Sequence, residues 1–259
     1  MTLRADVAGL PFWGHLPTAG YGFVIDTEGL DGLDDGVVVK GETISRPSQH
    51  GDYELPTYLE SRIVSLSGNC LADSPERLGT LRRQFTGLLV GSVGNVVFEH
   101  LGSTVWGRAG LAPGVQKKFK VDAASSTHAR FQLQLKFADP RLFGDSKPFA
   151  AATSLSLRHY GNFLSLPVLE VTGSMPSGYS VNGPDGRKYT VTQALTTGQT
   201  HRIDMNTGRL YRNGVLQVGW VTRSETWGIP AGSLGVAYTL APVSGSGLIS
   251  APSVLDTFI

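Results

Sequence analysis

Cysteine is almost missing from this chain. The one thiol, Cys70, has no partner within it, so disulfides do not hold the fold together. In its apolar surroundings Cys70 reads as a small buried hydrophobe. Charge is scarce as well: 17% of the residues are charged and the balance is +1, which removes any electrostatic case for nucleic acid or anionic lipid as a partner. No apolar run nears the ~20 residues that a membrane helix needs. The opening MTLRADVAGLPFWGHLP lacks the apolar core of a secretory signal. The expectation is a soluble chain made in the cytoplasm, with no membrane and no nucleic-acid role. Internal repeats and low-complexity tracts are also lacking.

Motifs that carry chemistry are equally sparse. G-x-S-x-G, H-E-x-x-H, the P-loop and paired C-x-x-C are absent. The one G-x-G, Gly245-Ser246-Gly247, has Ser250 where a dinucleotide fingerprint needs glycine, and it opens no helix. None of the six histidines, His15, His50, His100, His128, His159 and His201, lies two or four residues from another, as a local metal pair would. The acidic stretch DTEGLDGLDDG offers Asp26, Glu28, Asp31, Asp34 and Asp35 as hard oxygen ligands, in the spacing of no known loop. Asp52 and Glu54 add further carboxylates, but nothing fixes a pair at glycosidase separation. The expectation is therefore no enzyme, no cofactor and no metal.

What is abundant is glycine, 33 residues, with 14 prolines. That composition suits short strands joined by tight turns. One segment, DSPERLGTLRRQFTGLL, reads as a helix over about 74–90. Ser74 is a good N-cap and Pro75 suits the first helical position. Leu78, Leu81, Phe85 and Leu88 form one apolar stripe that must pack on a sheet, and Gly91 and Gly94 can end the helix. RFQLQLKF alternates strictly, with Phe131, Leu133, Leu135 and Phe137 on one face. SRIVSLSG alternates too, setting Arg62, Val64 and Leu66 against Ile63, Ser65 and Ser67. At DPRLFGDSKP the pattern breaks, and a domain boundary is expected there. The later strands recur at roughly 8–12 residues, as in a sandwich.

HRIDMNTGRLYRNG, residues 201–214, looks at first like a calcium loop. Counted from Asp204, the fifth, sixth and twelfth positions are Gly208, Arg209 and Val215, so the ligand pattern fails. Asn206-Thr207-Gly208 and Asn213-Gly214 instead supply the positive-φ residues of two hairpins.

The order of segments resembles the distal tail (Dit) and related minor tail proteins of long-tailed phages. Gly29-Leu30-Asp31-Gly32-Leu33, GVVVK, SRPSQHGDY, SRIVSLSG, the helix and LKFADPRLFG follow one another as in the first half of that family. PVLEVTG, TGQTHRIDMNTGRLYRNG and WGIPAGSLGVAYTL follow as in the second. The resemblance implies a mainly β chain of two sandwich- or barrel-like domains. The first, 1–145, would form a ring and carry the one packed helix; the second, 146–259, would be a galectin-like jelly roll. It implies a structural virion protein at the tail tip, a homo-hexameric ring that joins the tail tube and tape-measure proteins to the baseplate hub and receptor-binding parts. Strands near 95–124 are then candidates for an edge that pairs with a neighbouring copy. The alternative is a carbohydrate-binding sandwich for host cell-wall sugars, with Trp220, Trp227, His201 and Arg202 as the candidate contacts. The sugar strands of galectins, His-x-Asn-Pro-Arg and Trp-Gly-x-Glu-x-Arg, are not present; Trp227-Gly228 runs on as Ile229-Pro230-Ala231-Gly232.

Overall fold

The computed structural model describes residues 3–259. The chain is mainly β with one α-helix. It divides into two compact units, one ending at Leu142 and taking in Ile259, the other Phe143–Phe258.

The first unit is built from β1 (Arg4–Val7), β2 (Leu10–Trp13), β3 (Gly22–Asp31), a short ribbon of β4 (Val39–Lys40) and β5 (Tyr58–Leu59), β6 (Arg62–Leu71), α1 (Pro75–Gly87), β7 (Gly94–His100), β8 (Ser103–Leu111), β9 (Lys118–Val121) and β10 (His128–Phe137). Seven of these strands run in the order β8, β7, β1, β2, β3, β6, β10, and β10 returns to β8 through Leu135↔Leu111 to Phe137↔Ala109. The result is a closed barrel. Closure follows from the strict alternation in β6 and β10, which sends Val64, Leu66 and Cys70 inward with Phe131, Leu133, Leu135 and Phe137. Between Ile25 and Leu30 the register of β3 against β6 slips. Gly29 and Gly68 allow it: a Cβ on Gly29 would meet the Ser67 carbonyl oxygen at 2.1 Å, and one on Gly68 the Val24 carbonyl oxygen at 2.0 Å.

The helix forms as its sequence predicts at the start. Ser74 Oγ accepts the Arg77 amide at 3.2 Å, and Pro75 opens the first turn. Leu78, Leu81, Phe85 and Leu88 are all buried. Phe85 lies 5.7 Å from Phe23, 5.9 Å from Phe131 and 6.5 Å from Phe12, ring centre to ring centre. These are inward-facing residues of β3, β10 and β2, so the helix lays its stripe on the barrel interior. The helix stops at Gly87, short of the expected 90, and neither Gly91 nor Gly94 ends it. Lys117 does: its Nζ donates to the carbonyls of Phe85 (3.0 Å), Thr86 (2.8 Å) and Leu88 (2.6 Å), of which the Phe85 carbonyl also accepts the Leu88 amide at 3.2 Å.

The second unit comprises β11 (Leu142–Ala152), β12 (Ser154–Leu157), β13 (Val168–Ser174), β14 (Tyr179–Asn182), β15 (Lys188–Val191), β16 (Thr200–Asp204), β17 (Arg209–Arg212), β18 (Val215–Gln217), β19 (Val221–Ser224), β20 (Val236–Pro242) and β21 (Ser246–Phe258). One sheet runs β18, β17, β16, β13, β21, β11 and the other β12, β20, β14, β15, β19. A single apolar cluster fills the space between them, drawing on Leu169, Val171 and Ile203 from one sheet and Tyr179, Tyr189 and Tyr238 from the other. The three tyrosines are fully buried, and each hydroxyl has a partner: His201 Nδ1 at 3.1 Å, the Gly208 carbonyl at 2.9 Å and the Trp227 carbonyl at 3.2 Å.

At DPRLFGDSKP the irregular stretch is short. The irregular part is confined to residues 138–141, where Asp139 Oδ1 accepts the Arg141 amide at 3.1 Å, and from Leu142 the chain is a continuous strand. VLQVGW breaks after Gln217, because Gly219 sits at φ +83° and turns the chain before β19.

Candidate functional site

The four candidate sugar contacts do not converge. Trp227 is 2% exposed and stacks on Tyr238 at 5.1 Å; His201 is fully buried against Tyr179. Both belong to the core of the sandwich, which takes them out of direct contact with a bound sugar. Trp220 is 45% exposed, and its carbonyl accepts the Thr192 amide at 2.9 Å. Arg202 points outward from β16 with its guanidinium 5.7 Å from the centre of the Tyr211 ring. Of the set, only Trp220 and Arg202 reach the surface.

Residues 201–214 are two hairpin turns. Asp204 Oδ1 accepts the amides of Asn206 (2.9 Å) and Thr207 (3.3 Å), and Gly208 at φ +67° leads into β17. Asn213 (φ +48°) and Gly214 (φ +83°) reverse the chain again before β18. Asn213 Oδ1 also accepts the Thr200 amide at 3.0 Å. The carboxylate and the amide oxygen are thus spent on the backbone, as turn chemistry requires.

The acidic stretch is drawn apart by the slip in β3. Asp26 accepts from Asn69, and Asp34 pairs with His100 Nε2 at 3.3 Å. Asp52 accepts from Ser45 at 2.8 Å. Among the described residues no three acidic, histidine or cysteine side chains gather as a metal site would need. His159 is structural: its Nδ1 accepts the Gly161 amide at 3.0 Å, so Nε2 carries the proton and donates to the Ile229 carbonyl at 3.0 Å. The buried Cys70 thiol has its pKa pushed up to about 12 by desolvation, the opposite of a nucleophile.

Surfaces, rather than a cleft, are what the first unit offers. Residues 34–60 leave the barrel between β3 and β6 as an arm. It is folded on itself by the β4–β5 ribbon and by a bridge between Ser45 and Asp52. Nearly every side chain on it is exposed, including Val38, Val39, Ile44, Tyr53 and Tyr58. Arg62 fixes the root. Its guanidinium is buried and donates to the carbonyls of Gly32 (3.1 Å), Leu33 (2.7 Å), Asp35 (3.1 Å) and Pro140 (3.2 Å). Desolvation lowers its pKa, partly offset by the nearby charges of Asp35 and Asp34. The sequence held a signal for this residue: Arg62 shares the inward phase of Val64 and Leu66. The second surface is β9. β9 pairs with β10 alone among the described strands, so one edge is open. The expected pairing edge near 95–124 is therefore narrower than the sequence suggested. β7 lies between β1 and β8, and only β9 is left with a free side.

No protein-family model matches the chain. No curated protein matches it by sequence. Solved structures do match. The SPP1 Dit protein, described as a paradigm of the hub adsorption apparatus in phages infecting Gram-positive bacteria, is 13% identical, with a TM-score of 0.71 over 99% of this chain and 99% of its own. A chain of the phage p2 baseplate in its activated conformation with strontium is 7% identical, with a TM-score of 0.50 over 98% and 97%. The fold of the chain is Dit-like.

Proposed function

We propose that this chain is a structural protein of the phage virion that builds the ring at the distal end of a long tail. Copies of residues 1–145 form a homo-hexamer around the tail channel, and residues 146–259 project from it as a galectin-like sandwich. On this reading the ring joins the tail tube and tape-measure proteins to the tail-tip hub and its receptor-binding parts. It is made in the host cytoplasm and ends in the virion, and it does no catalysis. The observation that carries the reading is the whole-chain match to the SPP1 Dit protein, which covers both units in the same order. Electron microscopy of the purified protein, with its mass in solution, is the test: rings with a central channel and a mass of several protomers are expected. A monodisperse monomer at high concentration, absent from purified tails, would sink the proposal.

A second reading rests on Trp220 and Arg202, which are exposed on the sandwich, Arg202 lying over the half-buried Tyr211 ring. An outward aromatic ring is what stacks on a pyranose face, so the second unit would bind host cell-wall sugar. Titration of the full protein with wall polysaccharide, and loss of binding in Trp220→Ala, is the expected outcome. Absence of binding by the wild-type protein removes this reading and leaves the first intact.

A further inference from the structure

We infer that the exposed arm, residues 34–60, docks on the open edge and outer face of β9 of a second copy, and that this contact closes the ring. The inference rests on the ring reading above and names the surfaces that would make it.

Charge is the first argument. Between Asp34 and Glu60 the sequence has six carboxylates, Asp34, Asp35, Glu42, Asp52, Glu54 and Glu60, against two cations, Lys40 and Arg46, a balance of −4. Glu42, Glu54 and Glu60 make no side-chain hydrogen bond or ion pair among the described residues. On the other surface Lys118 and Lys120 of β9 are exposed, and their charged ends are likewise unmatched. The two sets are complementary in a chain whose total charge is only +1.

Apolar surface is the second. Val38, Val39, Tyr53 and Tyr58 stand 52–65% exposed on the arm, and Val115 before β9 and Val121 at its end stand 45% and 42% exposed. An apolar centre flanked by charge is how protein interfaces are composed. The open edge of β9 adds unpaired backbone groups that an extended segment can satisfy.

Position sets the arm root and β9 apart on one unit. The arm root lies beside Arg62, which faces Phe137 at one end of β10. β9 pairs with Ala129–Gln132 at the other end. Five to eight residues of strand separate the two, roughly 17–26 Å at ~3.3 Å per residue. Two different, complementary patches at opposite ends of one unit make a head-to-tail contact, which generates a closed ring when the rotation is right.

The experiment is a charge exchange in the full-length protein, read as mass in solution and as rings in micrographs. Lys118→Glu with Lys120→Glu is expected to leave a folded monomer, and Glu42→Lys with Glu54→Lys likewise. Combining all four is expected to restore the ring. Circular dichroism matching the wild type separates loss of assembly from loss of fold. A wild-type protein with no ring overturns the functional reading itself. A wild-type ring that survives either pair of reversals overturns the docking alone. So does a combined variant that stays monomeric although each pair folds. A disulfide between copies in the Val39→Cys, Val121→Cys protein gives an independent reading of the same contact, and its absence counts against the docking.

Discussion

Replacing Lys117 by methionine tests whether one ammonium ends the helix. The stem and its packing are kept, while three hydrogen bonds to the carbonyls of Phe85, Thr86 and Leu88 are lost. The Thr86 carbonyl is exposed and will find water. The other two are partly buried, and each loses a charged partner worth about 1.5 kcal/mol. Favourable charge at a helix C-terminus adds roughly 0.5 kcal/mol. Against this, desolvation lowers the Lys117 pKa, a cost that the methionine does not carry. The net loss is therefore somewhat below the sum, about 2 to 3 kcal/mol. For a unit of this size that is a fall of roughly 6–10 °C in melting temperature. Urea titration and hydrogen exchange of the amides in 75–88 are the assays, and Lys117→Arg is the control that retains charge but cannot place one nitrogen against three carbonyls. A change under about 0.5 kcal/mol with unaltered amide protection would refute the reasoning.

Phe85→Ala removes the ring that meets Phe23, Phe131 and Phe119 and should cost about 3–5 kcal/mol; an unchanged denaturant midpoint would mean the cluster has collapsed without loss. Arg62→Met should loosen the arm root, because four carbonyls lose their donor; limited proteolysis should then cut within residues 32–38 faster than in the wild type, and equal rates would show that the root holds by other means. His201 has its pKa lowered to about 4 by burial and by the charge of Arg212, below the ~6.5 of an unfolded chain. The unfolded state therefore takes the proton first. Stability is full above about pH 6.5, falls by on the order of 3 kcal/mol as pH drops towards 4, and levels off below. His201→Gln should flatten this difference between pH 7 and pH 4.5; a slope equal to the wild type's would assign it to other groups.

Much of this was legible because local chemistry and global packing agree. Ser74, Pro75 and the stripe through Phe85 specify the same helix that the barrel needs. Asn213-Gly214 specifies a turn wherever it falls. The helix end was not legible, since its cap comes from Lys117, 29 residues past Leu88 in sequence. β11 was hidden because Pro148 and Gly144 look like linker, although a proline is tolerated in a strand where its missing N–H is not required. The two tryptophans differ for a reason that no pattern carries. Trp227 lies over Gly183, where any Cβ would meet its ring at 2.3 Å, whereas Trp220 is exposed.

Closure of the barrel limits how copies can meet. Seven strands pair in a ring and leave no edge among themselves, so strand addition to the first unit is confined to β9 and the β4–β5 ribbon, the parts that stand outside the closure. The same logic accounts for the acidic arm. Six carboxylates that among the described residues do not gather in threes are a solubility device on a free monomer, yet the arm also exposes Val38, Val39, Ile44, Tyr53 and Tyr58, which a solubility device would not. Acid and apolar side chains on one arm are consistent with burial against a surface of opposite charge, and Lys118 and Lys120 stand on β9, which has an edge to spare among the described strands.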